Sequence, residues 1–159
     1  MQRYGHILLI EDDLDLAAML IDYLSGCGFD VVHAVSAERG IACYRTDKFD
    51  ILIVDIQLPK WDGFQFVEYV SKLNKNQFVL FLTARLSKTD KLRGLHLGGN
   101  DYITKPFDVE ELAFVVDVGV ELTAFEVEDI TAFELELEAD EAKSKISVCA
   151  PSIKPYREL

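Results

Sequence analysis

Four separated places in this sequence carry side chains that could share one piece of chemistry. Glu11-Asp12-Asp13 close the apolar run HILLI, Asp55 closes DILIV, Thr83-Ala84 close FVLFL, and Lys105-Pro106 follow DYIT. Carboxylates brought together repel one another, so such a group needs a cation. Hard oxygen donors with positions left for water suit Mg2+ (or Mn2+), which bridges readily to phosphate. With part of the charge neutralised, one carboxylate can act as a nucleophile toward a phosphoryl group. Lys105 could then pair with the phosphoryl oxygens and Thr83 could donate a hydrogen bond to another. Phosphoryl transfer is mostly positioning and charge compensation, and these are its parts.

The elements that must position these residues are legible in the alternating texture of the chain. Short aliphatic runs at 6–11, 29–34, 50–55, 78–83 and 101–104 are separated by amphipathic stretches at 14–26, 36–46, 63–73 and 88–97, with one more opening at Asp108. Nearly continuous hydrophobic strands alternating with helices indicate a parallel sheet covered on both faces. Right-handed crossovers make a doubly wound α/β sandwich the expected fold. Ser87 with Asp90, and Asp108 with Glu111, have the spacing of an N-cap followed by an acid three residues on. In an open parallel sheet, ligands gather beyond the carboxyl ends of the strands, which is where the four chemical places fall.

Those motifs resemble the receiver domains of bacterial two-component response regulators. The acidic cluster after strand one, DIQLPKWDG, LTA and DYITKPF occur in the family's order, within about residues 6–114. The resemblance implies a flavodoxin-like five-stranded sheet of order 2-1-3-4-5. It makes Asp55 the phosphoacceptor, with Asp12 and Asp55 as direct Mg2+ ligands, Glu11 holding a metal-bound water, and the backbone carbonyl of Gln57 as a further ligand. Thr83 and Tyr102 become the switch pair, and Lys105 precedes a cis proline that aims it at the site. A histidine kinase or histidine phosphotransfer protein would be the donor, and an unknown protein the downstream target. Slow autodephosphorylation is expected of the acyl phosphate, tuned by Gln57 and Arg85, but no enzyme activity beyond that. The stretch from Asp55 to Thr83 is shorter than the family's usual spacing, with Asn74-Lys75-Asn76 as a tight turn.

Each residue also has an ordinary structural account. Asp13 or Asp15 could cap the first helix, Asp50 and Asp62 could serve turns or caps, and Asp101 could be structural. Trp61 is either a partner contact or a loop residue packed on its own turn, and His6, His33 and His96 are scattered. Two competing functions remain. One is an Asp-nucleophile phosphatase of the haloacid-dehalogenase kind, which wants an acid where Gln57 stands; the other is a receiver fold kept as a constitutive interaction module.

The 159 residues divide unevenly in charge. Residues 1–107 hold 12 basic and 14 acidic side chains, while 108–159 hold 4 and 14, so most of the net −12 lies in the last third. That acidity argues against nucleic-acid binding by this chain alone. No apolar run has the length of a membrane span, and three unpaired-looking cysteines, Cys27, Cys43 and Cys149, suit a reducing, cytoplasmic setting. The expected domains are a receiver over 1–120 and a C-terminal extension over 121–159. In the extension, FELELE and KISVCA alternate with period two and read as a β-hairpin, serving dimerisation or partner binding. The valine-rich stretch before it reads as a poor helix, with 114–124 able to supply strands. The tail also has a limited similarity to a strand pair of the flagellar-switch and chemotaxis-phosphatase fold.

Overall fold

The computed structural model describes residues 5–84 and 87–123, the side chain of Leu95 excepted. The chain alternates strictly: β1 (Gly5–Ile10), α1 (Leu14–Gly26), β2 (Phe29–Ala34), α2 (Ala37–Thr46), β3 (Ile51–Asp55), α3 (Gly63–Leu73), β4 (Phe78–Thr83), α4 (Lys88–His96) and β5 (Asp101–Thr104). A last helix, α5, covers residues 109–123. The five strands form one parallel sheet in the order β2-β1-β3-β4-β5, so the expected doubly wound α/β fold is the one observed.

Burial explains why these runs are strands. Leu8, Ile10, Leu52, Val54 and Phe81 turn to one face, where Phe64, Phe66, Val67 and Val70 of α3 pack on them. Their neighbours Ile7, Leu9, Ile51, Ile53, Leu80 and Leu82 are as deeply buried and, by strand alternation, face the other side. Each such side chain contributes about 1.5–3 kcal/mol. A sheet buried on both faces has no polar face to show, which is why its strands read as unbroken apolar runs.

Helix starts follow local rules. Asp13 accepts the N–H groups of Asp15 and Leu16, so Asp13, not Asp15, caps α1. Ser36 caps α2, and Ser87 accepts from Asp90 at the head of α4. Asp62 and Gln65 form a reciprocal capping box on α3. Asp50, expected in a turn, accepts the N–H of His6 (2.7 Å), and Asp101 accepts that of Tyr102 (2.8 Å). Asn74 accepts from Asn76 in the tight turn before β4.

One expectation is corrected. Residues 114–123 are helical rather than strand-forming, and the valines at 115–120 do not end the helix. Leu112, Val115 and Val116 are buried. Helix propensity disfavours valine by only about 0.5 kcal/mol relative to alanine, against about 1.5–3 kcal/mol from burying it, so packing decides. The expected hairpin at 133–138 and 145–150, and the flagellar-switch similarity with it, lie outside the described residues.

Candidate functional site

The carboxyl ends of β1, β3, β4 and β5 meet at one edge of the sheet. Ile10 pairs with Val54, Asp55 with Leu82, and Thr83 with Thr104, so residues far apart in sequence finish level with one another. Glu11 follows β1 and is fully buried; its N–H donates to Ala34 (3.1 Å), and its carbonyl accepts from His33 Nε2 (2.8 Å). A carbonyl can only accept, so that imidazole nitrogen carries the hydrogen. Asp55, nearly buried, ends β3, and its Oδ1 accepts the N–H of Gln57 (2.9 Å).

Lys105, just past β5 and 94 positions from Glu11 in sequence, completes the cluster. Its Nζ stands 2.6 Å from Glu11 Oε1 and 2.9 Å from Asp55 Oδ2. The Lys105–Pro106 peptide is cis, as expected, and the Lys105 N–H donates to the Thr83 carbonyl (2.7 Å). Thr83 itself is buried at the end of β4. Gly63, the first residue of α3, abuts the back of the acceptor strand. A β-carbon there would collide with the Asp55 carbonyl oxygen and lie 2.9 Å from Ile56 Cα.

The electrostatics are those of crowded acids. Burial pushes the Glu11 carboxyl up to about 8, helped by the neighbouring Asp55 carboxyl and opposed by Lys105. Burial pulls the Lys105 ammonium down, but its hydrogen bonds to Glu11 and Asp55 outweigh that and hold it above its ordinary value. Glu11, Asp12 and Asp55 each bring a carboxylate oxygen within 4.8 Å of the others, the one such metal-capable cluster among the described residues. Glu11 Oε2 is buried without a hydrogen-bond partner. An orphaned buried oxygen beside two further carboxylates is a donor set that a hard divalent cation would satisfy.

Tyr102 points away from this cluster. Its ring stacks on Phe81 (5.2 Å between centroids), and its hydroxyl donates to the carbonyls of Asp90 (3.0 Å) and Lys91 (3.2 Å) in α4. Burial, with Asp90 nearby, pushes its phenol up to about 12.

Comparison with known proteins agrees with this arrangement. Residues 7–117 match the family model of the response regulator receiver domain. The chain belongs to that family. The receiver is 39% identical over 111 residues to the transcriptional regulatory protein RprY of Bacteroides fragilis, covering 70% of this chain and 47% of that protein. It is 38% identical to CiaR of Streptococcus pneumoniae, covering 67% and 47%. The chain thus spans about half the length of these curated relatives. Among solved structures, the HemR receiver domain of Leptospira biflexa superposes with a TM-score of 0.69 at 33% identity, over 72% of this chain and 93% of that one. A Francisella receiver domain gives 0.71 at 28%, over 75% and 98%. Receiver domains of two-component response regulators are phosphoryl-accepting signalling domains, and this chain carries one. Among the described residues no helix is long and apolar enough to cross a membrane.

Within the receiver, Glu11, Asp12, Asp55 and Lys105 come together as the sequence suggested, with Thr83 at the same edge. Arg85 lies outside the described residues. Trp61 is 40% exposed, and its N–H reaches Glu38 of α2 (3.4 Å). His33 has no sequence pattern that marks it as part of the site. Only the pairing of β2 beside β1, with His33 level with Leu9, reveals that it reaches Glu11.

Proposed function

We propose that this receiver takes a phosphoryl group onto Asp55 from a histidine kinase or histidine phosphotransfer protein, with Mg2+ or Mn2+ bound at the acidic edge. The observation that carries this reading is the Lys105 ammonium held between Glu11 and Asp55 at 2.6 and 2.9 Å. Transfer breaks the donor's P–N bond as a P–O bond to Asp55 forms, and Lys105 is placed to pair with the phosphoryl oxygens. Asp12, Asp55 and the Gln57 carbonyl would hold the cation, with Glu11 holding one of its waters. When bound, the cation supplies positive charge against the oxygens of the transferring group. Thr83 would hydrogen-bond the phosphoryl group, and with Tyr102 it would pass the change to the α4-β5-α5 face and a downstream protein.

The test is incorporation of phosphate from acetyl phosphate. Wild type labels only with Mg2+ or Mn2+ present, and Asp55→Asn does not label. Absence of labelling in wild type would favour the constitutive interaction module instead. By the family resemblance Gln57 and Arg85 would stand beside the phosphoryl position and set its lifetime. Exchanging both for alanine should change the dephosphorylation rate several-fold, and an unchanged rate removes them from that role.

The compact unit that ends at Val120 supports a receiver over 1–120. The remaining residues would serve as an extension for dimerisation or partner binding. The curated relatives are transcriptional regulators of which the matched receiver spans about half, so DNA binding in such a system would fall to another domain, not to this acidic chain.

A further inference from the structure

Tyr102 owes its place to a residue that has no side chain. A β-carbon on Gly94 of α4 would overlap the Tyr102 hydroxyl oxygen, lie 2.6 Å from its Cζ and stand 3.2 Å from Phe81 Cε2. The ring is therefore seated in a notch in the last turn of α4, with Phe81 stacked beneath it and the Asp90 and Lys91 carbonyls closing over the hydroxyl. Phe81 in turn packs on Phe64 (5.3 Å), the second residue of α3, whose first residue abuts Asp55. The notch is thus the last link of a packed chain that starts beside Asp55.

We propose that Gly94 is a positioning residue. Its missing side chain forms the slot that admits the Tyr102 ring against α4, so residue 94 governs whether α4 can respond to Asp55. The signalling half rests on the reading of Tyr102 as the readout; the steric half does not. A hydroxyl held by two helix carbonyls cannot leave without α4 losing both contacts, and a methyl group at 94 forces that departure.

The experiment compares wild type with Gly94→Ala, Tyr102→Ala and the double variant. Alanine favours a helix over glycine, so the double variant should melt about 3 °C above Tyr102→Ala. In the Tyr102 background the same exchange should lower the melting temperature, because the methyl meets the hydroxyl. Gly26→Ala is the control, since nothing lies within 4 Å of a β-carbon there. Ultraviolet titration gives the second readout. The Tyr102 phenol, pushed up to about 12 by burial and assigned among the late phenols by its loss in Tyr102→Ala, should fall by at least about one unit in Gly94→Ala. If Gly94→Ala fails to fold while the double variant folds, the clash is again the cause.

An equal rise in melting temperature in both backgrounds, with the late phenol unmoved, overturns the slot. For signalling, amide exchange across Lys88–His96 is followed on adding Mg2+ and beryllofluoride. Wild type should change at least threefold more than Gly94→Ala. A wild-type response in Tyr102→Ala would overturn Tyr102 as the readout, while the titration still decides the slot on its own.

Discussion

On the proposed reading, the Glu11 carboxyl is the group whose protonation a cation at the acidic edge would oppose most. With a folded-state value near 8 against 4.5 for the free side chain, the native domain binds more protons than the unfolded chain between those limits. Without a divalent cation its contribution to stability is therefore full below about pH 4.5 and falls as pH rises through about 8. A cation at this site displaces that proton, so its affinity should climb with pH over the same window, by up to about tenfold per unit. Titrating Mg2+ against Trp61 fluorescence from pH 5.5 to 8.5 checks this. Glu11→Gln should flatten the dependence, and an unaltered slope in that variant would assign the proton elsewhere. The acids and the lysine were legible because each closes an apolar run. His33 was not, because its partner is a backbone carbonyl on the neighbouring strand. No side-chain pattern marks such a bond.

At the scale of the element, the start of α3 carries more than its own turn. The capping box of Asp62 and Gln65 fixes the helix entry, and Gly63 presses that entry against the backbone of Asp55. Asp62→Ala should cost about 1 kcal/mol by urea unfolding, the usual worth of such a cap. It should also slow phosphate incorporation, because the loop from Gln57 to Asp62 loses its anchor. Loss of stability with an unchanged incorporation rate would confine the box to a structural part. All five strands and the first four helices could be read to within a residue or so, since each combines a periodic apolar pattern with a cap or glycine stop. The last helix could be read only at its start, where Asp108 caps it; its length could not. Val115, Val116 and Val118 favour a strand locally, and only the surface they meet in the fold decides for the helix.

At the scale of the molecule, the helix through 123 sets the sensible cut point for the tail. Deleting residues 124–159 leaves α5 whole, and on the proposed role it should turn a dimer into a monomer by size-exclusion with light scattering. A full-length chain that is already monomeric would end that idea. The joining of Lys105 to Glu11 across 94 positions of sequence has a consequence in time rather than in space. A ribosome delivers the acids first, and the ammonium that balances Glu11 only 94 residues after it. Until β5 docks beside β4, Glu11 and Asp55 lack the Lys105 ammonium that stands between them in the folded domain. On the proposed reading, a nascent chain would be unready to take phosphate until synthesis has passed Lys105, which would tie competence for signalling to completion of the fold.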